Sequence, residues 1–262
     1  SAKIGHYIFI STTAVYKIPP TCPINEESPR NFLKDSYGGD KALAENLLLS
    51  YRKKLPITIL RLQSVFGPYD PCLAGLVFYR ILNKLPILIG NNSSIIDNHL
   101  FIFDLVKAVS CSLKNPKTYG KIYNITGDDK LTLNGFIDLC GKICKIIPIK
   151  KNEAIIRNNK DVNLVKTKGI VNFFTGWSEF NMICDNSLIK KDLEIEFTSL
   201  NESLLKTYHW LIENKKKRLN YFSLRGENFI LQNIPVPLYR KCIWKFFDFF
   251  ILVISNFKAS LR

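Results

Sequence analysis

Long apolar runs, paired metal-ligand motifs and internal repeats are all missing from this sequence of 262 residues. No stretch approaches the roughly 20 apolar residues that a membrane-spanning helix needs. The nearest, Cys242 to Phe257, is interrupted by Lys245 and Asp248. The seven cysteines, at 22, 72, 111, 140, 144, 184 and 242, are odd in number and scattered. Cys140 and Cys144 lie four apart on a predicted helix, but no second pair or histidine cluster completes a metal site, so no metal is expected. Reduced, mostly buried thiols in a cytoplasmic protein fit this pattern better. The opening residues do not read as a signal peptide. The chain begins with Ser1 and runs almost at once into a buried-strand pattern, which leads us to expect that an N-terminal portion is missing.

Acidic residues are also scarce, 22 against 37 lysines and arginines, for a net charge of +15 and a pI near 9.5. Such a balance invites a nucleic-acid or membrane-surface reading. The bases are spread evenly, however, as compositional drift towards Lys, Asn and Ile would also produce. With 47% hydrophobic residues the chain is ordinary globular material, long enough to bury a sizeable core.

Tyr7 to Ile10 is a short apolar run suited to a central parallel strand covered on both faces. Ser11, Thr12 and Thr13 then fall at its carboxyl end, where open α/β sheets bind their ligands. Prolines and acids between Lys17 and Ser36 predict a loop, and Tyr37 to Lys54 a helix packed through Leu43, Leu47, Leu48 and Tyr51. Pro56 to Leu62 is the next strand, so strand, helix and strand make a parallel unit. Further on, the pattern predicts a helix over 74–84, a strand over 87–90 and a turn over 91–94. It continues with a strand over 100–103, a helix capped by Asp104, a strand over 121–125 and a helix over 133–144. From Lys145 to Ile195 the periodicity fades, and Leu200 to Lys217 is again amphipathic. Lys215 to Arg218 reads as a solvated helix end.

Tyr37 and Lys41, four apart at the mouth of a helix, share one face. Free tyrosine, with a pKa near 10, is a poor base at neutral pH. An ammonium one turn away favours the phenolate, and a threonine hydroxyl from the strand end can fix the same substrate oxygen. That is a proton-transfer device, given a cofactor to exchange hydride. Gly38 and Gly39 conflict with helix propensity, and predict either a loose first turn or the close approach of a ligand.

The segments FISTTAVY (9–16), YGGDKALAE (37–45) and LRLQSVFGP (60–68) resemble successive landmarks of the extended short-chain dehydrogenase/reductases, the NAD-dependent epimerase/dehydratase group. LFIFDLVKA (100–108) and KIYNITGDDKLTLNGF (121–136) continue the likeness, and the latter is similar to the branch of chloroplast stem-loop-binding proteins. The resemblance implies an α/β fold: a Rossmann-like doubly wound parallel sheet, its first βαβ part missing, with a smaller substrate lobe. The implied domains are residues 1–145, a lobe over 146–218 and a basic, aromatic tail over 219–262. It also implies bound NAD or NADP and a sugar substrate, usually nucleotide-linked. Tyr37 is the implied acid/base, Lys41 its partner and a ribose ligand, and Thr12 the positioning hydroxyl. Gln63 is placed beside the nicotinamide, with Thr13 and Ser64 towards the substrate.

Departures from the family pattern narrow the expectation. Nothing before Tyr7 supplies the Gly-rich phosphate loop. Thr13 and Ala14 stand where sugar dehydratases carry an Asp-Glu pair, which disfavours dehydration. Ser64 replaces an asparagine, and Asp97-Asn98-His99 stands where an arginine often clamps the diphosphate. An epimerase or reductase is therefore expected, with a non-catalytic or RNA-binding member as the alternative. A homodimer and a peripheral membrane contact through the tail complete the candidate partners. His99 and His209 read as structural histidines.

Overall fold

In the computed structural model, residues 4–34, 36–70, 73–89, 94–152 and 180–214 are described. The basic tail and the Lys215–Arg218 run lie outside them. Strand β1 (Tyr7–Thr12) is followed by a 3₁₀ turn (Thr13–Val15), helix α1 (Tyr37–Ser50) and strand β2 (Ile57–Leu62). Next come β3 (Val65–Phe66), α2 (Ala74–Leu82), β4 (Ile87–Ile89), β5 (Ile96–Asp97) and β6 (Leu100–Phe101), which runs directly into α3 (Ile102–Ser112). After β7 (Ile122–Ile125) and β8 (Leu131–Thr132), α4 (Leu133–Cys144) leads to β9 (Lys150–Asn152). Helices α5 (Ser187–Leu193) and α6 (Leu200–Glu213) follow.

The main sheet is parallel, in the order β1-β2-β7. The register runs from Tyr7 opposite Ile57 to Thr12 opposite Leu62, and from Ile59 opposite Ile122 to Leu62 opposite Ile125. β2 is the central strand, and its residues from Ile57 to Arg61 are buried on both faces. β1 was expected in that role. Among the described residues it is instead an edge strand, with Tyr7 and Ile10 each about two-fifths exposed (40% and 41%).

One apolar core lies between the sheet and α3 with α5, around Leu60, Leu100, Ala108, Tyr123 and Ile189. A larger one gathers α2, α4 and α6 around Phe66, Phe78, Phe101, Phe136 and Leu204. Helix α4 begins and ends where expected: Thr132 Oγ1 accepts from the Gly135 amide, and Lys145 closes the helix in the left-handed region at φ 56°. Asp104 does not cap α3 as expected. Phe101 occupies the cap position, and the buried Asp104 carboxylate accepts from the amide and hydroxyl of Thr198, fastening the chain just before α6.

The packing face expected of α1 is also corrected. Leu43, Leu47 and Tyr51 are exposed, and the helix buries Gly38, Gly39, Ala42 and Glu45 instead. Its inward side meets backbone at Gly38 and Gly39, a small apolar cluster with Val15, Tyr16 and Ile24 at Ala42, and an arginine at Glu45, so small residues and one carboxylate fit there better than leucines. The helix ends at Ser50, and 51–54 continue as turns.

Candidate active site

β1 delivers Thr12 at its carboxyl end, and the chain turns at once. Thr12 Oγ1 accepts from the Ala14 amide at 3.2 Å, capping the 3₁₀ turn and leaving its own proton to donate elsewhere. The N-terminus of α1 nests directly on this turn. A Cβ on Gly38 would stand 2.0 Å from the Ala14 carbonyl oxygen, and one on Gly39 would stand 1.9 Å from that of Leu33. The two glycines thus serve a close approach, as one expectation held, but the neighbour is protein backbone and not a ligand. Ser36 caps the helix by accepting from the Gly39 amide at 3.1 Å.

Two side chains clasp α1 to β1. Lys41 Nζ donates to the Ile10 carbonyl at 2.9 Å and lies 4.8 Å from the Phe9 ring centroid. One turn on, Glu45 accepts from Ser11 Oγ at 2.6 Å. Tyr37, at the helix mouth, is 65% exposed, so its hydroxyl is open to an incoming ligand. The structure therefore brings Thr12, Tyr37 and Lys41 to one end of β1, through the packing of one helix on one turn.

Beneath them is a buried charge network to which the sequence drew no attention. Arg61 on β2 donates to Glu45 from Nε at 3.0 Å and from Nη2 at 2.7 Å, and from Nη1 to the Tyr16 hydroxyl and the Glu26 carbonyl, both at 2.9 Å. Arg30 adds a bond to Glu45 at 3.1 Å. Burial disfavours the Arg61 charge, but its bonds to Glu45 and Tyr16 outweigh this and push its pKa up. Burial likewise lifts the Tyr16 phenol to about 12, so Tyr16 stays a neutral structural hydroxyl, donating to Asn124 Oδ1.

Gln63 and Thr13 are joined directly. Thr13 Oγ1 donates to Gln63 Oε1 at 2.5 Å, and Gln63 Nε2 donates to Asp97 Oδ1 at 2.6 Å and to the Met182 carbonyl at 3.0 Å. Both Thr13 and Gln63 are buried. Asp97, in place of the phosphate-clamping arginine, is buried with its pKa pushed up to about 8, chiefly by desolvation. Ser64 lies on the link to β3, its carbonyl accepting from the Leu100 amide at 3.0 Å. His99 is buried with its ring against Phe136, and burial pushes its pKa down to about 3, which fits the structural role expected of it. Among the described residues no group of three or more metal-ligating side chains occurs, and no helix is long and apolar enough to cross a membrane.

A parallel sheet with Thr12 at the carboxyl end of β1 and the mouth of α1 packed on the turn behind it is a Rossmann-type architecture. Residues 1–126 match the model of the NAD dependent epimerase/dehydratase family. Among curated proteins the chain is similar to the chloroplast stem-loop binding protein of 41 kDa b of Arabidopsis thaliana, at 30% identity over 145 residues. That covers 53% of this chain and 36% of the relative. It is also similar to the mitochondrial NADH dehydrogenase [ubiquinone] 1 alpha subcomplex subunit 9 of Dictyostelium discoideum, at 26% identity, covering 53% of this chain and 34% of that protein. The chain therefore spans about a third of these curated relatives. The solved UDP-glucuronic acid 4-epimerase of Bacillus cereus, in complex with NAD, shares the fold with a TM-score of 0.62 at 20% identity. The likeness covers 79% of this chain and 61% of that one.

Proposed function

We propose that this chain carries the catalytic half of an NAD(P)-dependent epimerase or reductase acting on a sugar, most naturally a nucleotide-linked one. The observation that carries the reading is the nesting of the α1 N-terminus on the turn after Thr12, with Lys41 fastened to β1. The residues present fit the nicotinamide–ribose end of the cofactor: an ammonium, an open phenol and a threonine proton suit ribose and carboxamide oxygens. Among the described residues no Gly-rich turn at a helix N-terminus offers a pyrophosphate site. When bound, the nicotinamide supplies the hydride exchange. Tyr37 moves the proton at the substrate hydroxyl, Lys41 holds positive charge beside the phenol, and Thr12 donates its free proton to fix the substrate oxygen. Thr13 and Ala14 offer no acid or base for water elimination, and the Thr13 proton is already taken by Gln63.

The test uses the full polypeptide that carries this chain: NAD binding and turnover on a panel of UDP-sugars, repeated with Tyr37→Phe. Loss of turnover by a factor of about 10² or more, with NAD binding retained, is the expected result. Undiminished turnover would remove Tyr37 from the mechanism.

A second reading, a non-catalytic RNA-binding member, is favoured by one specific feature. Arg52, Lys53, Lys54 and Lys114 are all exposed near the opposite end of the sheet. They are gathered there because the Tyr7 amide bonds the Pro56 carbonyl, and His6 Nδ1 accepts from the Lys114 amide. A compact basic surface of this kind suits a phosphate backbone.

A further inference from the structure

The Gln63 side-chain amide has no freedom of orientation. Its two N–H groups meet two acceptors, Asp97 Oδ1 and the Met182 carbonyl, and its oxygen meets the Thr13 hydroxyl. Turning the amide over would set an oxygen against both acceptors and leave the Thr13 proton facing N–H groups. The same Asp97 oxygen also accepts from the Asn98 amide at 2.8 Å. The Asn98 side chain bonds the amide and carbonyl of Cys184, and the Met182 amide bonds the Ile96 carbonyl. One continuous set of buried bonds therefore runs from the returning segment 182–184 through β5 and β2 to the turn that carries Thr12.

We propose that Asp97 is a positioning residue for the candidate site, acting through Gln63 to hold Thr13, and with it the Thr12 turn, against the segment at Met182. This rests on the proposed reading for what the site does, though not for the geometry. Two donors converge on Oδ1 and favour the ionised form, but burial outweighs them and holds the carboxyl neutral. The surroundings agree. β2 presents Gln63 and β8 pairs Leu131 with Asp97, and neither residue titrates. The titratable group facing Asp97 from the returning segment is the Cys184 thiol, raised by burial and by Asp97 itself. Glu26, Asp185 and Cys22 act on that thiol. His99, two residues on, is neutral. No cation stands among these groups to balance an ionised Asp97, so ionisation draws water to the carboxylate, and that water competes with Gln63 for Oδ1 and loosens its hold on Thr13.

The sign follows from linkage. The folded pKa lies above the ordinary carboxylate value, so the native protein holds a proton that the unfolded chain has lost. Stability then falls as pH rises from about 4 to about 8, and is level above that. The experiment compares the full polypeptide with Asp97→Asn and Asp97→Leu, measuring urea unfolding and the Kd for NAD between pH 6 and 9. In the wild type, stability should decline towards pH 8 and NAD affinity should weaken above it, by up to about tenfold per pH unit. Asp97→Asn keeps an Oδ1 acceptor and cannot ionise, so both profiles should flatten. Asp97→Leu removes that acceptor and should weaken NAD binding at every pH. Should it fail to fold, the Asn variant still decides. Parallel NAD profiles in the wild type and Asp97→Asn would overturn the proposal, leaving Asp97 a structural residue only. If the wild type binds no NAD at any pH, the cofactor reading falls. The positioning role is then judged by the unfolding profiles, and a wild type as flat as Asp97→Asn overturns it.

Discussion

Removing the carboxylate of Glu45 while leaving Arg61 in place is the perturbation to which this fold should be most sensitive. Glu45 is fully buried and Arg61 is 1% exposed. The carboxylate accepts from two Arg61 nitrogens, from Arg30 and from Ser11. In Glu45→Gln one neutral oxygen remains to accept bonds, and Arg61 keeps its charge with only the half-buried Glu26 carboxylate left to face it. Breaking a buried pair on one side costs about 3–5 kcal/mol, because the surviving charge stays desolvated. Against a total stability of about 5–15 kcal/mol for a domain, that is a large share. Urea unfolding followed by circular dichroism reads it directly, as a lower midpoint at unchanged slope. The paired change Glu45→Gln with Arg61→Met removes the stranded charge and should recover much of the loss. A cost below about 1 kcal/mol for Glu45→Gln alone would mean the pair is effectively solvated, and the account of α1 as a helix held by charge would be wrong.

Gly38→Ala should destabilise the protein by about 1–3 kcal/mol and push α1 off the 3₁₀ turn, because the new methyl meets the Ala14 carbonyl backbone with no flexible neighbour to yield. NAD affinity should fall with it, and calorimetric unfolding alongside a binding titration measures both. If the basic end of the sheet binds RNA, affinity for a stem-loop should drop steeply between 50 and about 200 mM salt, and Lys53→Glu with Lys54→Glu should reduce that slope. A salt-insensitive affinity would remove the electrostatic reading.

The parts of the fold that were legible in the sequence are those dictated by local pattern. The apolar run of β2, the carboxyl-end hydroxyls of β1, and the span of α4 over 133–144 each announce themselves within a few residues. The helix mouth at Tyr37 was equally plain, since the proline-bearing loop ends there and a parallel unit needed a helix next. What stayed hidden depends on partners far along the chain. Glu45 looks like an ordinary surface acid on a helix until β2 brings Arg61 beneath it. Leu43 and Leu47 look like the packing face only because apolar spacing cannot show that the true contact is glycine against backbone. Asp97 could be seen to replace an arginine, but its bond to Gln63, which itself reaches a carbonyl 119 residues further along the chain from Gln63, has no local signature. Asp104 was a plausible cap by position and was claimed by Thr198.

Lys41 fastens its helix with the same ammonium it is expected to lend to the chemistry. A residue so placed cannot be varied for one purpose alone. Shortening or neutralising it unhooks α1 from the Ile10 carbonyl and, in the same stroke, withdraws charge from the neighbourhood of Tyr37. Kinetic losses in Lys41 variants therefore combine a geometric component with an electrostatic one. Variants of Ser11 and Glu45, which loosen the same joint without touching that charge, supply the means to separate them.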